Sequence, residues 1–61
     1  MNSVCNLTSN FFLRNQEFII YYYSGFCKLY ANVNYQLVFI SDCKDSEAAK
    51  ERAKSWMGYY L

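Results

Sequence analysis

The sequence predicts an α+β fold: a four-stranded antiparallel β-meander with one C-terminal α-helix packed on one face. Three observations carry this. The first forty residues hold only three charges, Arg14, Glu17 and Lys28. The same forty residues hold ten aromatic rings. Residues 41–57 then hold eight charges, four of each sign, around recurring alanines. Strand-like sequence comes first and an amphipathic helix last, the order of an α+β domain.

Sixty-one residues make a single small domain, 1–61. A chain this short buries a small fraction of its surface, so its core is marginal. Such domains often add a metal, disulfides or a partner subunit. The apolar fraction of 54% is too high for a disordered tail. Proline is absent and glycine occurs only at Gly25 and Gly58, which excludes a low-complexity linker.

Residues 1–9 carry no period and read as a flexible lead-in to a sheet over 11–40. Phe11-Phe12-Leu13-Arg14 forms a first short strand. Asn15-Gln16 turns it back into Glu17-Phe18-Ile19-Ile20-Tyr21-Tyr22-Tyr23. That turn sets Arg14 opposite Glu17, a favourable cross-strand charge pair, with Leu13 opposite Phe18 and Phe11 opposite Ile20.

Ser24-Gly25 is the strongest turn signal, because glycine tolerates the positive φ of a tight hairpin. Phe26-Cys27-Lys28-Leu29-Tyr30-Ala31 follows. A two-residue loop sets Tyr22 opposite Cys27, Ile20 opposite Leu29 and Phe18 opposite Ala31. The two hairpins agree on the faces. Phe11, Leu13, Phe18, Ile20, Tyr22, Cys27, Leu29 and Ala31 share one, which reads as core. Phe12, Ile19, Tyr21, Tyr23, Phe26, Lys28 and Tyr30 share the other, which reads as the outer face.

Asn32-Val33-Asn34 leads into Tyr35-Gln36-Leu37-Val38-Phe39-Ile40. A three-residue loop with Asn34 left-handed puts Tyr35, Leu37 and Phe39 on the core face. A two-residue loop instead buries Gln36, Val38 and Ile40. The first is preferred because it hides the larger side chains.

The helix is expected over 46–57. Asp45 is its N-cap and Glu47 sits in its first turn. Ala48, Ala49, Ala53, Trp56 and Met57 recur at helical spacing. Glu47, Lys50, Glu51, Arg52 and Lys54 form the wet side, and Gly58 suits the C′ position. Tyr59-Tyr60-Leu61 is open between folding back, adding an edge strand and fraying.

Composition excludes several function classes. Net charge is +1, with no basic stripe for nucleic acid. No apolar run approaches a membrane span. The N-terminal residues lack the basic and apolar regions of a signal peptide, so a cytoplasmic location is expected and the Asn6-Leu7-Thr8 sequon reads as chance. Cys5, Cys27 and Cys43 are odd in number and match no zinc spacing, so three free thiols are expected.

There is no histidine, which removes the commonest general base and any base for a cysteine nucleophile. Asp42 and Asp45 read as turn and cap residues, since a calcium site needs six or more oxygens. No glycine-rich phosphate loop is present. The chain reads as a non-enzyme without cofactor or metal.

The tyrosine-rich face remains. Phe12, Ile19, Tyr21, Tyr23, Phe26, Lys28 and Tyr30 together make a candidate binding surface, as large apolar patches mark interfaces and tyrosine is enriched there. Three uses follow. The first is docking another protein by this face, or by strand addition at a sheet edge. The second is homodimerisation through the face. The third, weaker on charge, is nucleic-acid binding, with Tyr21, Tyr23 and Tyr30 stacking bases and Arg14, Lys28 and Lys44 touching phosphate.

The strand-strand-strand-helix order over 11–57, with Ala48-Ala49, Ala53 and Trp56 on the helix, resembles the layout of phage integrase arm-binding domains and of phage-encoded inhibitors of host enzymes. The resemblance implies a small phage or mobile-element inhibitor acting on a larger host protein.

Overall fold

A computed structural model describes residue 5 and residues 7–60, the side chains of 59 and 60 excepted. Four strands, β1 (Leu7–Leu13), β2 (Gln16–Tyr23), β3 (Phe26–Val33) and β4 (Gln36–Cys43), precede one helix, α1 (Ser46–Tyr60). The strands form one antiparallel sheet in the order β1-β2-β3-β4. This is the predicted α+β meander. The sheet is wider than 11–40, since β1 begins at Leu7 and β4 runs to Cys43. Of the lead-in expected over 1–9, residues 1–4 and 6 lie outside the described residues, and so does the sequon's Asn6.

The central hairpin has the expected register, with Phe18 opposite Ala31, Ile20 opposite Leu29 and Tyr22 opposite Cys27. Gly25 takes φ +85° in its turn. The inward residues form the core: Phe18, Ile20, Cys27, Leu29 and Ala31 are buried. Helix residues Ala49 and Ala53 are also fully buried. Their small side chains let α1 lie close on β4, β3 and β2, and Trp56 meets Phe18 edge-on at 5.7 Å. Ala48 and Met57 pack against the same core.

The first hairpin turns one residue earlier than expected. Its loop is Arg14 and Asn15, both at positive φ, as a two-residue primed turn requires. Leu13 therefore pairs with Gln16, Phe12 with Glu17 and Phe11 with Phe18. Arg14 sits in the turn and does not face Glu17. The slip is an even number of residues, so every side chain keeps its predicted face. It also stacks Phe11 on Phe18 at 5.3 Å.

The third hairpin corrects the preferred register. The loop is Asn34 and Tyr35, at φ 54° and 65°. Val38 pairs with Ala31 and Phe39 with Tyr30. Tyr35 is thus a turn residue, 99% exposed, and Leu37 and Phe39 point to the outer face. A bulge between Leu29 and Tyr30 then shifts the pairing, so that Leu29 faces Ser41, Lys28 faces Asp42 and Cys27 faces Cys43. Without that extra residue Asp42 would lie opposite Cys27, in the core. Burying an unpaired carboxylate is costly, so the bulge turns Asp42 outward and Cys43 inward.

Asp45 caps α1, its Oδ1 accepting from the Ala48 N–H at 2.8 Å. Gly58 is not a C′ residue. It lies inside α1, which continues through the backbone of residues 59 and 60. No described helix is long and apolar enough to cross a membrane.

Candidate functional site

With α1 on the inner face, no described element covers the outer face. The period of two brings Ile19, Tyr21 and Tyr23 of β2 beside Phe26, Lys28 and Tyr30 of β3. All seven residues singled out from the sequence share this face, but they do not form one cluster.

Two groups of rings meet at a lysine. Tyr21 packs edge-on against Tyr30 at 5.1 Å, and Tyr30 against Phe39 at 5.4 Å. Tyr23 stacks on Phe26 at 5.1 Å. Lys28 lies between them, its Nζ 5.7 Å from the Phe26 ring centre and 5.3 Å from that of Phe39. Each contact is a cation–π geometry. The same ammonium bonds Asp42 at 3.1 Å. That hydrogen bond is the main reason the Lys28 pKa is raised above its ordinary value; burial opposes it.

Phe12 stands apart. It is 61% exposed and lines a shallow groove with Glu17, Asn32 and Tyr35 at the far end of the sheet. Here the face turns polar. Glu17 accepts from the side chains of Asn32 and Asn10, both at 3.0 Å. Those bonds, Asn32 first, hold its carboxyl below the usual range. Gln16 ties the corner down by donating to the Asn32 carbonyl at 2.8 Å.

Phe39, Leu37 and Asp42 belong to this face and were missed by sequence reasoning. The signal that finds Leu37 and Phe39 is the turn: an asparagine at the first loop position is favoured in a primed two-residue hairpin, which reverses β4, whereas Asp42 reaches this face through the bulge. The charge set differs from the nucleic-acid reading as well. Lys28 is neutralised by Asp42, and Arg14 lines a groove on the helix side with Leu13, Lys54 and Met57.

Cys5, Cys27 and Cys43 are free thiols. Burial, and then the neighbouring Cys43, Asp45 and Asp42, push the Cys27 thiol up, which keeps it protonated and unreactive. Asp42 is engaged by Lys28 and Asp45 by the helix N-terminus. No group of three or more potential metal ligands comes together among the described residues.

No protein-family model, curated protein or solved structure matches this chain. Its function is therefore argued from the chemistry of the outer face. That face offers flat aromatic area, one internally neutralised cation and a polar corner.

Proposed function

We propose that this is a small non-enzymatic protein-binding module that docks another protein on the outer face of its sheet. The observation that carries the reading is the ring network Tyr21–Tyr30–Phe39 and Tyr23–Phe26 joined through Lys28, uncovered by the single helix. Rings that brace one another lose little entropy on binding, and tyrosine adds hydroxyls to a large contact area. Pairing of Lys28 with Asp42 neutralises the cation amid the rings and Arg14 lies on the helix side, which leaves Lys44 alone of the three candidate phosphate contacts and favours a protein target over nucleic acid. The resemblance of the strand-then-helix order over 11–57 to phage-encoded inhibitors favours a larger host protein, met in the cytoplasm, as the class of target.

The test is affinity capture with the wild-type chain and with Tyr21→Ser/Tyr30→Ser. A helix-surface variant, Lys50→Ser/Glu51→Ser, serves as control. The reading expects a discrete protein retained by wild type and by the helix variant and lost by the tyrosine variant. Retention by the tyrosine variant contradicts it. So does binding that falls steeply with salt and is removed by nuclease.

A further inference from the structure

We propose that the β4 edge pairs with the β4 edge of a second copy of this chain, joining two sheets into one across a two-fold axis at Val38. β4 is covered unevenly. Its C-terminal half is covered, since Ile40 and Cys43 pack into the core beneath α1. Its N-terminal half is not. Leu37 is 49% exposed, Val38 39% and Phe39 51%. Leu37 and Phe39 point to the outer face and Val38 to the inner, so the strand is apolar on both sides, the pattern of an interior strand at a sheet edge. Natural edges are guarded by lysine, proline, an inward charge or a bulge. Residues 36–39 contain none of these, and the bulge of β4 lies beyond Phe39. On the other edge strand, β1, the outer half carries Thr8-Ser9-Asn10 and the apolar run Phe11-Phe12-Leu13 lies against the turn.

Backbone geometry then restricts the register. Asn34 and Tyr35 form a two-residue turn, so Val33 and Gln36 close it as a hydrogen-bonded pair. Antiparallel pairs alternate, so Leu37 and Phe39 aim their N–H and C=O groups away from β3, at the open edge. A two-fold at Val38 sets Leu37 opposite Phe39 of the second copy, and Phe39 opposite its Leu37. In that register each of the two pairs exchanges both backbone bonds, and leucine packs on a ring. Val38 meets its own copy on the inner face. Residues 36–41 carry no charge, so no charge faces a like charge. This self-complementarity selects a second copy over an unrelated strand. The pair also places two outer faces side by side. It stands whatever the outer face binds.

The experiment is solution mass by light scattering behind a sizing column, with reductant, over a wide concentration range. Wild type is expected to approach twice its 7.3 kDa mass as concentration rises. Leu37→Pro removes an N–H that β3 does not use, so the fold persists by circular dichroism while the edge is blocked. Val38→Lys sets two ammonium groups against each other at the axis. Each variant is expected to raise the dimer dissociation constant by about tenfold or more. Tyr23→Ser, which removes a ring stacked on Phe26 and not on Phe39, is expected to leave it unchanged. A wild type monomeric at every concentration overturns the proposal. Dimers insensitive to both β4 variants, or lost only in the tyrosine variant, overturn it too. A mass that grows past the dimer also overturns it, because a closed two-fold pair cannot extend through β4.

Discussion

Lys28 of β3 and Asp42 of β4 face each other across the sheet and are joined at 3.1 Å, with the rings of Phe26 and Phe39 on either side of the ammonium. The pairing exists because of the bulge between β3 and β4, which moves Asp42 out of the core and onto the lysine. One added residue thus does two jobs: it keeps a carboxylate out of the apolar layer and neutralises the cation amid the aromatic face. The result is a face that is polarisable yet nearly uncharged, which suits protein contact better than phosphate contact.

Glu17 gives the sheet an acid-sensitive corner. Its folded pKa lies below the ordinary 4.5 because Asn32 and Asn10 donate to the ionised form. A depressed folded pKa contributes stability that is present above the unfolded value and is lost as pH falls through the folded one. The stability of wild type is therefore expected to drop below about pH 4.5, and Glu17→Gln to show a flatter acid limb. Chemical denaturation from pH 7 to 2 reads this. Identical slopes in the two proteins would contradict the assigned bonds.

Trp56 anchors the far end of α1 on Phe18. Trp56→Ala should cost about 3 kcal/mol, the low end for a large aromatic because the ring is only partly buried. Urea denaturation monitored by circular dichroism measures it. A midpoint equal to wild type would mean that the helix is held without this contact.

Tyr35 sits at φ 65° with its side chain 99% exposed. A bulky residue in the left-handed region is strained, and here it gains no packing in return. Tyr35→Gly gives the loop an asparagine followed by a glycine, the preferred sequence of this turn, and should stabilise the protein by about 1 kcal/mol. Melting temperature should rise by roughly 5 °C for a domain of this size. A fall would show that Tyr35 makes a contact worth more than the strain.

Much of this fold is legible in the sequence because β2 and β3 alternate cleanly around Ser24-Gly25. Their faces survive even the shifted first turn, since a loop at Arg14-Asn15 in place of Asn15-Gln16 moves the register by an even step. β4 is not legible in the same way. Leu37-Val38-Phe39-Ile40 has no period of two, because the strand changes phase at its bulge. Any reading that assumes one uninterrupted alternation must misplace one half of it. The choice to bury Leu37 and Phe39 also assumed that large apolar side chains go inward. Here α1 is too narrow to cover the N-terminal half of β4, so those side chains extend the outer face and leave the edge apolar. Gly58 is no stop signal for a related reason: its helix does not need to end there, and a Cβ at that position would meet nothing within 4 Å outside the helix's own backbone.

The outer rings are predicted to be dispensable for folding. Each of Tyr21 and Tyr30 is half-buried, chiefly by its neighbours, and neither touches the core beneath α1. Tyr21→Ser/Tyr30→Ser should unfold with a midpoint much closer to wild type than Trp56→Ala does. A larger loss than that of Trp56→Ala would make these rings a second core instead of a surface.

The most direct test of the outer face as a docking surface is site-specific photo-crosslinking in extract of the cells that make the protein. A benzoylphenylalanine at position 21 replaces one ring by another in the middle of the face, and the same group at position 50 probes the wet side of α1. The account predicts a discrete, irradiation-dependent protein adduct from position 21 and none from position 50. An adduct from position 50 alone would contradict it and move the interface to the helix.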